Sequence, residues 1–332
     1  MKTVSIVLCT YNGGKYLAQQ LDTILQQSYP LFEIIVQDDG STDDTIDIVL
    51  SYKEKYPIIT LIQNVHNLGP NINFLTGIER AKGDYIALSD QDDVWDPTKI
   101  AELVHTMEQT GKAVGFCRSR EFSEDGSIEV FFDERTPNYS MERMIFGDSM
   151  APGHTMIIRR SFVPELSVEK YRALDSGGHD EFIALMAAAN ESLCLCNKVL
   201  VRYRRHSTQA SAGRDRSFTF RNNWFSIGVV ALKSYRRKKN VMEEFFTKRL
   251  QFFSALPIHN PSLNNALRLA YLFSHRSLVN YFRLTALCVR LRRKIFFTTE
   301  MPPRKLLIRS FFFPLYCATY FRDQCLTSKL SQ

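Results

Sequence analysis

Over the first 210 or so positions, short continuous apolar runs alternate with longer amphipathic stretches. Residues 4–9 are apolar and rich in Val and Ile, the pattern of a parallel strand covered on both faces, and Gly13-Gly14 separates them from a helical stretch over 16–27. A second strand pattern, 33–37, runs into Asp38-Asp39-Gly40-Ser41-Thr42-Asp43-Asp44, whose last residues suit the N-cap of a helix over 45–56. A third, 58–62, reaches Asn64 and an Asn67-Leu68-Gly69-Pro70 turn before a helix over 71–81. The fourth, 84–88, ends in Ser89-Asp90-Gln91-Asp92-Asp93-Val94-Trp95, and a helix over 97–109 follows. Four strands alternating with four helices at short spacing predict an α/β fold with a doubly wound, mostly parallel sheet. Its ligand crevice lies at the carboxyl ends of the strands. Thr10-Tyr11-Asn12, Asp38-Asp39, Asn67 and Asp90–Asp93 all fall on that edge.

Further along, residues 113–117 read as a strand, 127–132 as a peripheral one, 153–160 as another and 199–203 as the last, ending in Arg204-Arg205-His206. Gly177-Gly178-His179-Asp180-Glu181 opens an apolar helix over 182–189. From about Phe218 the pattern changes to helices dense in arginine and aromatics. Arg268, Arg276, Arg283 and Arg290 recur at 8, 7 and 7 residues, which places them near one helix face, most simply a solvated one. The run 306–316 is too short, and too interrupted by Arg309 and Pro314, to span a bilayer. It suits a membrane surface, a partner or a tail packed back on the protein.

The charge balance sharpens this division. Residues 216–332 hold 21 Lys+Arg and 4 Asp+Glu, whereas residues 1–215 hold 21 and 31, giving net charges of +17 and −10 within the overall +7. The expected organisation is therefore an acidic catalytic domain, 1–215, and a basic helical region, 216–332, that meets an anionic membrane surface or a partner. No recognisable nucleic-acid module accompanies the basic region, so nucleic acid is not an expected partner. The seven cysteines are scattered, and Cys194-Leu195-Cys196 is too tightly spaced for a zinc knuckle or a redox pair. Residues 4–9 are too short for the apolar core of a signal peptide, and a cytoplasmic protein is expected.

The chemistry concentrates at Asp90, Asp92 and Asp93. Three carboxylates within four residues repel one another, and no Lys or Arg lies between Asp84 and Asp96 to relieve them. A bound divalent cation would neutralise them, with a diphosphate supplying its remaining ligands. A solvated turn before a helix capped by Asp96-Pro97 is the plain alternative.

Residues 4–12, the Asp38-Asp39-Gly40-Ser41-Thr42-Asp43 stretch and residues 84–95 together resemble the family 2 glycosyltransferases of GT-A fold over roughly residues 1–210. The Ser-Asp-Gln-Asp-Asp-Val-Trp form, with Gly153-His154-Thr155-Met156, His179-Asp180 and Tyr203-Arg204-Arg205-His206, is most similar to the rhamnosyltransferase-like branch. The resemblance implies an inverting transfer of a sugar from a UDP or dTDP donor to a glycan, lipid-linked acceptor in the synthesis of bacterial-type surface polysaccharide. Mg2+ or Mn2+ would be the cofactor, and the site of action the cytoplasmic face of the membrane. By position it implies that Thr10 and Tyr11 line the nucleotide site, that Asp39 accepts from the base N3–H, and that Asn67 and Gly69 let backbone approach ribose or phosphate. Asp92 and Asp93 match the metal and ribose positions, with Asp93 expected in direct contact with the cation, and Asp180 matches the catalytic base. His206 is open to three roles: metal ligand, phosphate contact or surface histidine. Arg204 and Arg205 are candidates for phosphate. His154 and His179 fall on the acceptor side, where His154 and Glu181-Phe182 depart from the branch's usual residues. Two rivals are a sugar-nucleotide nucleotidyltransferase, whose Arg-containing phosphate loop is missing after residue 9, and a non-catalytic nucleotide-binding or membrane scaffold protein.

Overall fold

The computed structural model describes residues 1–126, 138–147, 151–175, 177–206, 224–275, 277–296 and 302–320. In chain order they form β1 (Val4–Thr10), α1 (Gly14–Leu25), β2 (Glu33–Asp38), α2 (Thr45–Lys55), β3 (Ile59–Gln63), α3 (Pro70–Arg80), β4 (Tyr85–Ser89), β5 (Val94–Trp95), α4 (Lys99–Thr110) and β6 (Val114–Phe122). Then come α5 (Met141–Met144), β7 (Met156–Arg159), α6 (Val168–Leu174), α7 (His179–Ala189), β8 (Leu193–Arg204), α8 (Trp224–Ser254), α9 (Pro261–Ser274), α10 (Leu278–Arg290), α11 (Arg292–Ile295) and α12 (Pro303–Tyr320). They divide into two compact units, one of Met1–Glu134 with Ser149–Gly213, the other of Arg135–Asp148 with Arg214–Gln332.

The first unit is built on an eight-stranded sheet of order β3-β2-β1-β4-β7-β6-β8-β5, in which β7 and β5 run antiparallel to their neighbours. The central strands are apolar on both faces because both are covered. Val4, Ile6 and Leu8 of β1 join Leu17, Leu21 and Ile24 of α1 and Ile100, Leu103 and Met107 of α4 in one core. On β1's opposite face, Gly77 of α3 lies so close to Val7 that an added Cβ would come within 2.5 Å of its Cγ1. A side chain there would push α3 off the sheet.

The parallel strands β1, β2 and β3 end in register, Thr10 opposite Asp38 and Asp38 opposite Gln63, and β4 ends two residues short of β1, with Ser89 opposite Leu8. Their following loops are stitched by polar side chains. Asn12, at φ 48°, accepts from the Thr42 amide, and Asp43 accepts from the amides of Gly14 and Thr45 at the start of α2. Asp96 accepts from the Thr98 amide and hydroxyl ahead of α4, whose N-cap is Thr98 and not Asp96.

Two strands exceed the sequence reading: β6 runs on to Phe122 and β8 begins at Leu193. They pair in parallel through a register shift near Arg118, and polar residues half exposed on that extension hid the strand pattern. A single 3-10 turn, Gly153–Thr155, precedes β7. The strand expected over 127–132 lies outside the described residues.

The second unit takes in α5, which the sequence reading had placed in the catalytic domain. Glu142 explains this assignment: its fully buried carboxylate accepts from Ser262 Oγ, Asn265 Nδ2 at 3.0 Å and Lys294 Nζ at 2.8 Å. Phe146, Phe246, Phe273 and Phe313 pack edge-to-face or stacked around the same core. The arginine row does not share one helix. Ser277 starts α10 as its N-cap, so Arg268 belongs to α9, Arg283 and Arg290 to α10, and Arg276 lies outside the described residues. Among the described residues no helix is long and apolar enough to cross a membrane.

Candidate active site

The loops after β1, β2, β3 and β4 present their polar side chains on one edge, and most of those side chains hold each other. Thr10 is buried and donates to Asp38 Oδ1 at 2.8 Å. The other Asp38 oxygen accepts from the amides of Gly40 and Ser41, so Asp38 frames the loop. Asp39 is also inward: Asn64 Nδ2 and the Leu68 amide donate to Oδ1, both at 2.8 Å, and the Gly69 amide to Oδ2 at 2.9 Å. Those three donors leave roughly one lone-pair direction of the carboxylate for a ligand. Asn67 secures the same loop by donating to the Asp39 carbonyl at 3.1 Å. Gly69 adopts φ 77° and ψ 157°, a conformation essentially reserved for glycine. Tyr11 is half exposed, and Gln91 grips its backbone by accepting from its amide and donating to its carbonyl.

The three carboxylates of the β4 loop diverge. Asp92 points to the mouth of the edge, where its Oδ2 lies 2.8 Å from His206 Nε2, with 14% of the Asp92 and 16% of the His206 side chain exposed. Asp93 points inward with no exposed surface: Oδ1 accepts from the Arg204 amide at 3.3 Å, and Oδ2 has no hydrogen-bond partner among the described residues. Burial, with Asp90 and Asp92 alongside, holds the Asp93 carboxyl well above the ordinary range. Asp90 lies between, and burial together with the charges of Asp92 and Asp180 pushes it up to about 7. A third of its side chain stays open, so water moderates that effect.

His154 Nδ1 lies 3.8 Å from Asp90 Oδ2, and its ring stacks on Tyr203 at 4.6 Å. Asp90, Asp93 and His154 each bring a ligand atom within 4.8 Å of the others. Carboxylate and imidazole together suit a hard or borderline divalent cation, and the orphaned Asp93 oxygen is the kind of atom such an ion would satisfy. Asp93 has no exposed surface and His154 is 7% exposed. The Asp92–His206 pair offers the same chemistry with open surface beside it.

Asp180 stands in the first turn of α7, its Oδ1 accepting from the Glu181 amide at 2.8 Å, near enough to Asp90 to influence its charge. His179 stacks on Phe74 at 4.2 Å, and its Nδ1 lies 3.1 Å from Asn71 Oδ1, while Nε2 is buried without a partner among the described residues. Burial lowers its pKa, against the pull of Asp180. A neutral ring donating from Nδ1 to Asn71 presents Nε2 as an acceptor.

One supporting residue went unread in the sequence and another was read for a different role. Lys99, which looks like any helix lysine, is fully buried: Nζ donates to the His154 carbonyl at 2.8 Å and lies 3.2 Å from the centre of the Trp95 ring. Burial lowers its pKa to about 7, although Asp93 and Asp90 favour the charge. Arg204, expected at phosphate, is instead committed internally. It donates to the Asp92 carbonyl at 2.9 Å, Glu124 Oε1 at 2.9 Å and Gln19 Oε1 at 2.5 Å, and lies against the Tyr16 and Phe122 rings. Arg205 lies 3.4 Å from Glu121. The alternation of residues 199–204 gave Arg204's strand but not the direction its side chain takes.

Residues 5–166 match the family model described as Glycosyl transferase family 2. Among curated relatives, a UDP-Glc:alpha-D-GlcNAc-diphosphoundecaprenol beta-1,3-glucosyltransferase of Escherichia coli, WfaP, is 29% identical over 70% of this chain and 89% of its own. A dTDP-rhamnosyl transferase of Shigella flexneri, RfbG, is 25% identical over 70% of this chain and 81% of its own. The chain spans 65% of the length of a similar glycosyltransferase of Rickettsia typhi, which is 28% identical over 63% of this chain. Among solved structures, Staphylococcus aureus TarS 1–349 in complex with UDP-GlcNAc superposes with a TM-score of 0.53 at 18% identity, covering 96% of this chain and 92% of that one. A mannosyltransferase of Pyrobaculum calidifontis, in complex with GDP-Man and Mn2+, gives 0.52 at 18%, covering 98% and 87%.

Proposed function

Residues 5–166 match glycosyl transferase family 2, and from that match we propose an inverting, metal-dependent transfer. The donor is a UDP- or dTDP-sugar and the acceptor a glycan carried on a lipid, in the building of a bacterial surface polysaccharide. The observation that carries this reading is the convergence of Asp92 and His206, 2.8 Å apart, with Asp90 and Asp180 on the edge where the parallel strands end. The relatives from Escherichia coli and Shigella flexneri, named for UDP-Glc and dTDP-rhamnosyl transfer, support the two donor classes.

In this reading Asp92 and His206 hold Mg2+ or Mn2+, while Asp93 and Arg204 fix the loop from behind. Asp93, expected in direct contact, is thus assigned to support. A cation held by Asp92 and His206 would supply positive charge to offset the departing diphosphate. Asp39 and the Asn67–Gly69 loop shape the base pocket, with the free lone pair of Asp39 toward the base N3–H, and Tyr11 lies along the nucleotide. Asp180 takes the proton from the acceptor hydroxyl as that oxygen forms its bond to the anomeric carbon, and the bond to the diphosphate oxygen breaks with its electron pair. His179 Nε2 accepts from a neighbouring acceptor hydroxyl, and His154 lines the acceptor side through its stack on Tyr203. The place of action is the cytoplasmic face of a membrane, where such an acceptor resides.

The test is release of nucleoside diphosphate from a panel of UDP- and dTDP-sugars with Mn2+ or Mg2+, by the wild type, Asp92→Ala and Asp180→Asn. Release by the wild type that collapses in both variants is expected. Undiminished turnover in both would overturn the site assignment.

A further inference from the structure

We propose that the exposed face of α10, with the groove it forms against α9, is a docking surface for an anionic lipid bilayer. At 3.6 residues per turn, Val279, Phe282, Arg283, Ala286 and Arg290 fall within about 100° of helix arc, so apolar and cationic groups share one face. Phe282 is 70% and Val279 58% exposed, with Leu278 beside them at 81%. Protruding apolar side chains of this size are costly in water and mark a surface that something covers.

The groove encloses about 620 Å³ and sets Leu272 and Leu287 among Arg268, Arg283, Arg290 and Tyr271. No carboxylate lines it. On α12, which packs against α10, Leu307, Ile308, Phe311 and Phe312 form a second exposed apolar stripe at i, i+1, i+4 and i+5, while Leu306, Ser310 and Phe313 are buried.

Charge selects the occupant. Residues 261–320 carry ten Lys+Arg against one Asp+Glu. Arginine reaches phosphate with its guanidinium while its stem lies along apolar surface, and tyrosine spans the boundary between polar and apolar layers. Apolar insertion with arginines at the same level is the pattern of a surface seated in the headgroup layer of an acidic membrane. The proposal concerns the second unit alone and stands independently of the transfer reaction.

The experiment is flotation of the full chain with vesicles of phosphatidylglycerol mixed into phosphatidylcholine, and with phosphatidylcholine alone. The wild type is expected to float with the anionic vesicles and much less with the neutral ones, and to be released by high salt. Replacing Arg268, Arg283 and Arg290 together by Gln should weaken partition roughly 100-fold, about fivefold for each arginine near an anionic surface. Val279→Glu with Phe282→Glu should also abolish flotation, whereas Val65→Glu, at a residue 90% exposed in the first unit, should leave it unchanged. Circular dichroism and thermal unfolding confirm that each variant is folded, and nucleoside diphosphate release without vesicles reads the enzyme separately. A wild type that stays with the pellet, or a triple variant that floats like it, would overturn the proposal. So would light scattering that shows a dimer split by the glutamate pair, since the occupant would then be a second copy of the chain.

Discussion

Arg204→Lys is the substitution that separates support of the Asp92 loop from bulk charge. The guanidinium makes three hydrogen bonds from a side chain only 3% exposed and is flanked by the rings of Tyr16 and Phe122. Lysine keeps the charge but cannot reach three acceptors from one plane. Its bond to Glu124 matters least, because Glu124 is 53% exposed and such a pair contributes at most about 1 kcal/mol. The bonds to the Asp92 carbonyl and Gln19 are partly buried and charge-assisted, at roughly 1.5–3 kcal/mol each. Loss of one of them with part of the ring contact predicts about 2–3 kcal/mol of destabilisation. For a unit of this size that lowers Tm by roughly 5–10 °C. Because Asp92 hangs on the same guanidinium, its carboxylate should move by about 1 Å, a displacement that costs on the order of 100-fold in rate. The assay pairs thermal unfolding with nucleoside diphosphate release at 25 °C, where the variant is still folded. A fall in Tm with unchanged kcat would refute the claim that Arg204 positions Asp92; no change in either would refute the packing argument too.

Asp180→Asn should lower kcat by about 100- to 10,000-fold while leaving the donor KM nearly unchanged, since a base acts in the transition state and not on the bound donor; steady-state kinetics separates the two. Chelation should abolish turnover, and His206→Ala should raise the Mn2+ concentration for half-maximal rate about 10- to 100-fold, read from a metal titration; an unchanged half-point would remove His206 from the cation. Lys99 titrates near 7 in the fold against 10.5 unfolded, so the unfolded chain binds the extra proton between those pH values. Stability from this group therefore rises with pH across that window, by at most about 1.4 kcal/mol per pH unit, and urea unfolding of Lys99→Met should lack the rise. Gly69→Ala should cost roughly 1–3 kcal/mol and weaken nucleotide binding, measured by calorimetry with UDP, because φ 77° is closed to alanine and the Gly69 amide holds Asp39.

The sheet was legible because its central strands are covered on both faces, which leaves unbroken apolar runs such as residues 4–9 and 33–37. The edge of carboxylates was legible for the same reason: in a parallel sheet every strand ends on the same side. Long-range pairing was not. Nothing local in residues 118–122 or 193–198 announces that β6 and β8 extend along each other, since their outward faces are mixed. Nor does Asp92-Asp93 disclose which carboxylate faces the cleft. Adjacent residues point opposite ways, and the choice is fixed by Arg204 and His206, more than a hundred positions away. The grouping of α5 with the later helices was not legible for a related reason, because the partners of the buried Glu142 carboxylate, Ser262, Asn265 and Lys294, stand far along the chain.

The most direct test of single-step transfer with Asp180 as base is the anomeric configuration of the product, read by NMR on the glycan formed from a donor of known configuration. Transfer at this edge predicts a product of configuration opposite to the donor's. A product that retains the donor's configuration would contradict the account, because it requires a second displacement and a nucleophile that this reading does not contain.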